Sequence, residues 1–303
     1  MILIFLDGVG LGSSDPDRNP LASHGVMPWL ERVMGRRLLR GELPFWCAGG
    51  GGAAADAVLG VPGLPQSATG QATLLTGVNA QALLGRHQNG FPGPRLRRLL
   101  EERSIFRQLR EAGCTGTFAN AFTAEYFAAV ATGRWRHSAT TLSALAGGVR
   151  LRFLRELLAG LAVYQDITRE TLRERGYDVP LTGPDEAGSC LIRIASAFDF
   201  TLFEYFQTDA AGHSRDMDLA RARLGQVDRF LAGVMARADP ASELIVVASD
   251  HGNIEDLGVR THTANSVPVL AWGCGARGFL EGLVRLDQVA PRIVETLNMT
   301  NCT

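Results

Sequence analysis

The sequence predicts an α/β protein with a doubly wound sheet, and three observations carry that expectation. Short, continuous apolar runs recur at Ile2–Leu6, Leu244–Ala248 and 267–272, and 198–206 reads as a further strand. Runs of that length without polar alternation fit strands buried on both faces, as in a parallel sheet. Helical patterns separate them, the longest placing Leu224, Val227, Leu231 and Val234 on one face. Acids and imidazoles stand directly after the runs, at Asp7, at Asp209 with His213, and at Asp250-His251. Open α/β sheets carry their chemistry just beyond the carboxyl ends of the strands.

In chain order, Ile2–Leu6 ends in Asp7-Gly8-Val9-Gly10, where glycine permits a sharp turn. Residues 28–36 read as a short amphipathic helix and 48–63 as a loop rich in glycine and alanine. The four glycines 49–52 are followed by no Gly-Lys-Ser/Thr, which excludes a phosphate loop of that kind. A helix is expected over 71–76, one or two helices over 96–112, and a strand over 116–121. Between Thr123 and Asp185 the character changes. Helical patterns dominate (143–161, 169–175), arginines cluster at Arg134 and Arg136, and strand runs are absent. The expected organisation is a discontinuous core, residues 1–122 and 186–303, with an inserted, mainly helical cap at 123–185. The α/β pattern resumes with a helix through Ile194, and 286–297 reads as the last helix.

Composition excludes several classes. The chain has 303 residues, 46% of them hydrophobic, and a formal net charge of -1. Nothing global steers it towards nucleic acid or a membrane surface. Its basic residues are all arginine, a compositional bias without functional weight. Cys47, Cys114, Cys190, Cys274 and Cys302 are scattered and odd in number, which suits a reduced, cytoplasmic setting better than a disulfide scaffold. Neither a signal peptide nor an apolar stretch of roughly 18 residues is expected.

Chemistry collects at the strand ends. Asp209 and His213 lie four apart, so one helical turn would aim both side chains the same way. His262 follows His251 by eleven residues. Aspartates and imidazoles converging on one sheet edge suit Zn²⁺ or Mn²⁺, and buried carboxylates call for cationic charge. Ser67, in Pro65-Gln66-Ser67-Ala68-Thr69-Gly70, precedes a helix start and is a candidate nucleophile. A helix N-terminus favours a phosphate or sulfate there, although Ser67 also reads as a helix cap. Thr69 competes for either role.

With these residues in place, the chain resembles the alkaline phosphatase superfamily of two-metal enzymes, and in particular the branch holding cofactor-independent phosphoglycerate mutase and phosphopentomutase. The matching motifs are Phe5-Leu6-Asp7-Gly8, Asp209-x-x-Gly-His213, Asp250-His251-Gly252-Asn253-x-Glu255 and His262-Thr263-x-Asn265-x-Val267-Pro268. The resemblance covers both ends of the chain and leaves the middle unmatched. It implies one divalent metal held by Asp209, His213 and His262. A second would be held by Asp7, Asp250, His251 and the nucleophile. The family places that nucleophile ten residues before a glycine corresponding to Gly77, which gives Ser67. Here the chain departs from the mutases, with Gln71 where their histidine stands.

The implied reaction is attack by Ser67 on a phosphoryl group, giving a phosphoserine. The 123–185 insert is smaller than the corresponding domain of the phosphoglycerate mutases, which favours hydrolysis of a small phosphorylated metabolite. A phosphomutase or a phosphodiesterase is the alternative. A binding protein that keeps the fold without turnover fits the intact ligand set poorly. No cysteine near Ser67 supports a sulfatase, and no Gly-x-Ser-x-Gly elbow supports a serine hydrolase. His87, Arg134, Arg136 and His137 are the candidate substrate contacts, since arginine suits bidentate phosphate binding. Tyr126, Phe127 and Trp135 read as core of the insert.

Overall fold

A computed structural model describes residues 1–301 of the chain, so Cys302 and Thr303 lie outside the described residues. The strands are β1 (Ile2–Leu6), β2 (Phe45–Cys47), β3 (Gly50–Ala55), β4 (Gly116–Phe118), β5 (Ala121–Phe122), β6 (Arg152–Phe153), β7 (Phe200–Tyr205), β8 (Leu244–Ala248) and β9 (Val267–Gly273). Seven of them form one sheet in the order β2-β3-β9-β8-β1-β7-β4. β8, β1, β7 and β4 are mutually parallel, and β9, β3 and β2 continue the sheet in antiparallel pairs. β5 and β6 form a separate two-stranded ribbon. The protein is thus α/β with a mostly parallel central segment.

Alternate residues of the buried strands feed two cores. Leu3, Phe5, Leu202, Val246 and Val269 face one side, and Ile4, Phe203, Val247, Leu270 and Trp272 the other. Each such side chain, fully buried, contributes about 1.5–3 kcal/mol, so both faces must be covered by helices. The second core is closed by α1 (Pro28–Met34), packed on the long helix 217–235. The first is closed by α2 (Ser67–Thr76), α3 (Ala80–Leu84), α4 (Pro94–Arg103) and α5 (Ile105–Glu111). α6 (Ala124–Ala131) follows, and then α7 (Ala139–Ala146), which packs on α2, α4 and α5 through Ala139 and Ala144. α8 (Leu154–Leu158) and α9 (Glu170–Glu174) surround a small core of their own, with Leu157, Tyr164, Leu172 and Val179. α10 (Pro184–Ala195), α11 (Gln207–Ser214) and α12 (Met217–Met235) continue the chain, α10 packing along α12. α13 (Ala276–Leu280) and α14 (Val289–Asn301) complete the first layer.

Two local expectations are corrected. The glycine-rich stretch is β3, paired with β9 along its whole length, and not a loop. A Cβ at Gly50 would come within 2.4 Å of the Trp272 ring, and one at Gly52 within 2.5 Å of the Phe45 ring. The missing side chains make room for those large neighbours, which periodicity reasoning cannot see. The 143–161 stretch also breaks, with β6 between α7 and α8. No helix among the described residues is long and apolar enough to cross a membrane.

Candidate metal centre

The site forms where four chain segments leave the carboxyl edge of the sheet. Asp7 follows β1, and its backbone carbonyl accepts the Thr208 hydroxyl at 2.6 Å. Gly8 then turns the chain at φ +70°. A Cβ there would lie 2.6 Å from Asp209 Oδ1, so glycine lets the two acids share one floor. After β7, α11 carries Asp209 and His213 one turn apart, with Oδ2 and Nε2 separated by 3.4 Å. After β8, Ser249, Asp250 and His251 are wholly buried. His262 stands in the loop leading to β9, its Nε2 3.2 Å from His213 Nε2 and 3.6 Å from Asp209 Oδ1.

Ser67 is the first residue of α2, four residues earlier than the helix expected from the sequence. Nine of the ten α2 residues are buried, so the helix lacks the one-sided pattern that would mark its start. Gly70 lets α2 press onto the β8 loop, since a Cβ at that position would lie 2.7 Å from the Asp250 carbonyl oxygen. Ser67 Oγ consequently sits 3.1 Å from His251 Nε2. Asp7 Oδ1 and Asp250 Oδ2 lie 3.3 Å from the same nitrogen. The rings of His251 and His262 stack 3.8 Å apart, which joins this cluster to the one around Asp209.

The residues fit a cation. Asp7 Oδ1 and Asp250 Oδ2 are buried and accept no hydrogen bond. One N–H cannot satisfy two carboxylate oxygens and a hydroxyl, so the pocket holds more acceptor capacity than its donors can meet. Burial raises the Asp7 carboxyl above its ordinary value, against the pull of His251. Burial and the Asp7 charge raise Asp250 well above its own. Burial works to lower His251, yet Asp250 and Asp7 outweigh it and bring the imidazole to about 10. The same two carboxylates that favour this proton are the charge a divalent metal would need in its place. His262 is lowered to about 4, first by burial and then by His251. Its Nδ1 donates to the Pro65 carbonyl at 3.0 Å, which leaves the Nε2 lone pair facing the acids. Two sets of potential ligand atoms gather within 4.8 Å: Asp7, Asp250 and His251, and Asp209, His251 and His262.

A buried carboxylate ties these loops together. Glu255 accepts from the amides of Gly10 at 2.9 Å and Asn253 at 2.7 Å, from Asn265 Nδ2 at 2.9 Å, and from the Thr263 hydroxyl. Asn253 in turn donates to Asp209 Oδ1 at 2.6 Å. Gln71, the departure from the mutase pattern, donates to Asp7 Oδ2 at 3.2 Å. Sequence reasoning passed over Glu204, whose carboxyl accepts the Thr140 hydroxyl at 2.6 Å. Burial, with the Asp7 charge, raises it to about 8. A lone acid inside the apolar run FTLFEYF was the signal available.

The candidate substrate contacts lie in two other places. His87 donates from Nε2 to the Val61 carbonyl at 3.0 Å, bracing the loop before Ser67. His137 Nδ1 pairs with the Tyr126 hydroxyl at 2.9 Å, within an aromatic cluster that includes Phe122, Phe127 and Trp135. Arg134 and Arg136 are exposed, with the Arg134 guanidinium over the Trp135 ring.

Comparison with known proteins adds a likeness. Residues 186–301, which supply Asp209, His213, Asp250, His251 and His262, match the family model described as the Metalloenzyme superfamily. The chain has an alkaline-phosphatase-like fold, and its last third is similar to that superfamily. Among curated relatives, a 2,3-bisphosphoglycerate-independent phosphoglycerate mutase from Dinoroseobacter shibae is 30% identical over 132 residues, 41% of this chain. The chain spans only 26% of that relative's length. Among solved structures, a protein from Pyrococcus horikoshii superposes with a TM-score of 0.60 at 14% identity, covering 98% of this chain and 96% of the other. The alkaline phosphatase of the Antarctic bacterium TAB5 superposes at 0.57 with 13% identity, covering 97% of each chain. These superpositions show an alkaline-phosphatase-like fold through nearly the whole length of the chain.

Proposed function

We propose that the protein is a two-metal-dependent phosphoryl-transfer enzyme that hydrolyses a small phosphorylated metabolite through a phosphoserine at Ser67. The observation that carries this reading is the placement of Ser67 Oγ, on the first turn of α2, 3.1 Å from the nitrogen on which Asp7 and Asp250 also converge. Asp209, His213 and His262 would hold one divalent ion, and Asp7, Asp250, His251 and Ser67 the other, with Mn²⁺ or Zn²⁺ suited to these donors. When bound, such ions supply Lewis-acid charge to phosphoryl oxygens and ease deprotonation of a serine hydroxyl.

The chain's own residues account for the rest. Ser67 Oγ attacks phosphorus, and the bond to the departing alcohol oxygen breaks as the new one forms. The first-turn amides of α2 face the incoming charge, as helix N-termini do for phosphate. Water then attacks the phosphoserine. The phosphorus–oxygen bond to Ser67 breaks, the oxygen recovers a proton, and inorganic phosphate leaves. Supporting hydrolysis over retention is the open rim, where the His213 side chain is 46% exposed. A phosphomutase is the second reading, favoured by the names of the curated relatives. A cytoplasmic location goes with either.

The test is phosphate release from 4-nitrophenyl phosphate, after chelation and re-addition of Mn²⁺ or Zn²⁺. Release that needs the metal and disappears in Ser67→Ala is expected. Isomerised phosphate esters without free phosphate would transfer the reading to a mutase, and failure to bind metal would remove both.

A further inference from the structure

At the amino edge of the sheet, where β4 and β7 begin, lies a cavity of about 510 Å³. Thr117 and Phe198 contribute one side, and Arg150, Arg152, Arg155 and Glu156 the other. The metal centre occupies the opposite edge. β7 alone, with six residues at ~3.3 Å each, puts roughly 20 Å between the two.

The charges of this cavity do not balance. Its one carboxylate is committed, since Glu156 binds Arg150 at 2.6 Å through one oxygen and the Phe153 amide at 3.0 Å through the other. Arg152 meets only neutral acceptors, the Leu161 carbonyl at 2.6 Å and the Thr117 hydroxyl at 2.8 Å. Its Nε is buried without an acceptor, and its guanidinium lies 5.6 Å from the centroid of the Phe198 ring. The Arg155 side chain forms no hydrogen bond or ion pair among the described residues. Three guanidinium groups therefore face one carboxylate, and one of them is half-buried with a donor unmet. Burying a cation in this way is costly unless an anion compensates it.

The cavity has room for that anion. Its volume lies within the roughly 300–1,000 Å³ of small-molecule sites, and Val149, Leu161 and Phe198 add apolar wall for an organic body. Arginine forks match phosphate oxygens in pairs. We propose that this cavity is a second ligand site, separate from the metal centre, which takes a small organic phosphate through Arg150, Arg152 and Arg155. Because it joins the β6–α8 segment to the starts of β4 and β7, an occupant ties that segment to the sheet and stabilises the folded state.

The experiment titrates inorganic phosphate calorimetrically into the Asp250→Asn protein, so that binding at the metal centre is disabled first. One phosphate site is expected to remain. Adding Arg155→Glu should weaken it at least tenfold while shifting the melting temperature without phosphate little, because the Arg155 side chain has no hydrogen bond or ion pair to lose and only a long-range attraction to Glu156. Adding Arg155→Lys instead keeps the charge and should retain binding within about threefold. Arg152→Gln should also weaken binding, and the Arg155 pair decides the matter if that variant fails to fold. Phosphate affinity that is unchanged in Arg155→Glu, or absent already in Asp250→Asn, would overturn the proposal.

Discussion

Two buried aspartates in this protein have the same exposure and opposite surroundings. Asp166, beside α9, and Asp250, after β8, are both 0% exposed. Asp166 accepts from the Arg169 amide at 2.8 Å and from the Thr171 amide and hydroxyl at 2.7 Å each, so both its oxygens are occupied. Asp250 receives one long bond, from the Gly8 amide at 3.3 Å, and its other oxygen has none. Burial is therefore not what marks a site. What marks it is a buried acid that the chain itself declines to satisfy, because such an acid is stable only beside a cation. Asp7 shares the condition of Asp250, and the two point at one nitrogen. Asp228, with both oxygens on the amides of Trp29 and Leu30, shares that of Asp166.

The comparison breaks most visibly through Ser67. Ser67→Ala removes a hydroxyl from the unsatisfied cluster without touching a core contact, so turnover should fall by about a thousandfold or more with stability nearly unchanged. Steady-state rates beside a thermal melt check it, and a parallel loss of both would make Ser67 a structural cap. Next in size is the contrast between the acids themselves. Asp166→Ala strands two amides and a hydroxyl and should cost about 3 kcal/mol of stability, with metal affinity intact. Asp250→Asn should do the reverse, abolishing most metal-induced stabilisation, which for a hundredfold excess of metal over its Kd amounts to about 2.7 kcal/mol. Chelated and metal-loaded melts of both variants separate the two classes. Equal responses would erase the distinction.

Asn253→Ala tests a residue between the classes. Its Nδ2 donates to both the backbone carbonyl and Oδ1 of Asp209 and so orients that acid, and metal affinity should fall about 10- to 100-fold while the fold survives. Metal titration of the variant reads this directly. Unchanged affinity would show that Asp209 holds its position without help.

The same contrast explains what was legible beforehand. Asp7, Asp209, His213, Asp250, His251 and His262 could be read because strand-like runs end at or beside them, and a strand end is visible in one dimension. Ser67 required the family's spacing, since α2 is buried nearly all round and carries no helical stripe. β3 was misread because three glycines have no side chains to reveal a pattern, although Phe45, Leu270 and Trp272 fill the space those side chains would take. Hydrogen-bond satisfaction was invisible altogether. The donors to Asp166 are local, but whether Asp250 finds any depends on Gly8, Ser67 and Asp7, brought together only by the fold.

The smallest expected effect belongs to the surface arginines. Arg134 and Arg136 are exposed and, among the described residues, form no ion pair, so Arg134→Ala with Arg136→Ala should shift stability by no more than about 0.5 kcal/mol. Metal affinity should not move, because neither residue borders the acids. If they meet the substrate, their charge matters in proportion to the charge they meet. KM for a phosphate ester bearing an additional carboxylate should then rise about three- to tenfold, or about 0.7–1.4 kcal/mol, while KM for 4-nitrophenyl phosphate changes less. Added salt should shrink that difference, since exposed charges are screened. Equal KM values for the two esters in parent and variant would make these arginines a solvated face. The cationic side of recognition would then have to be sought among other basic side chains near the rim.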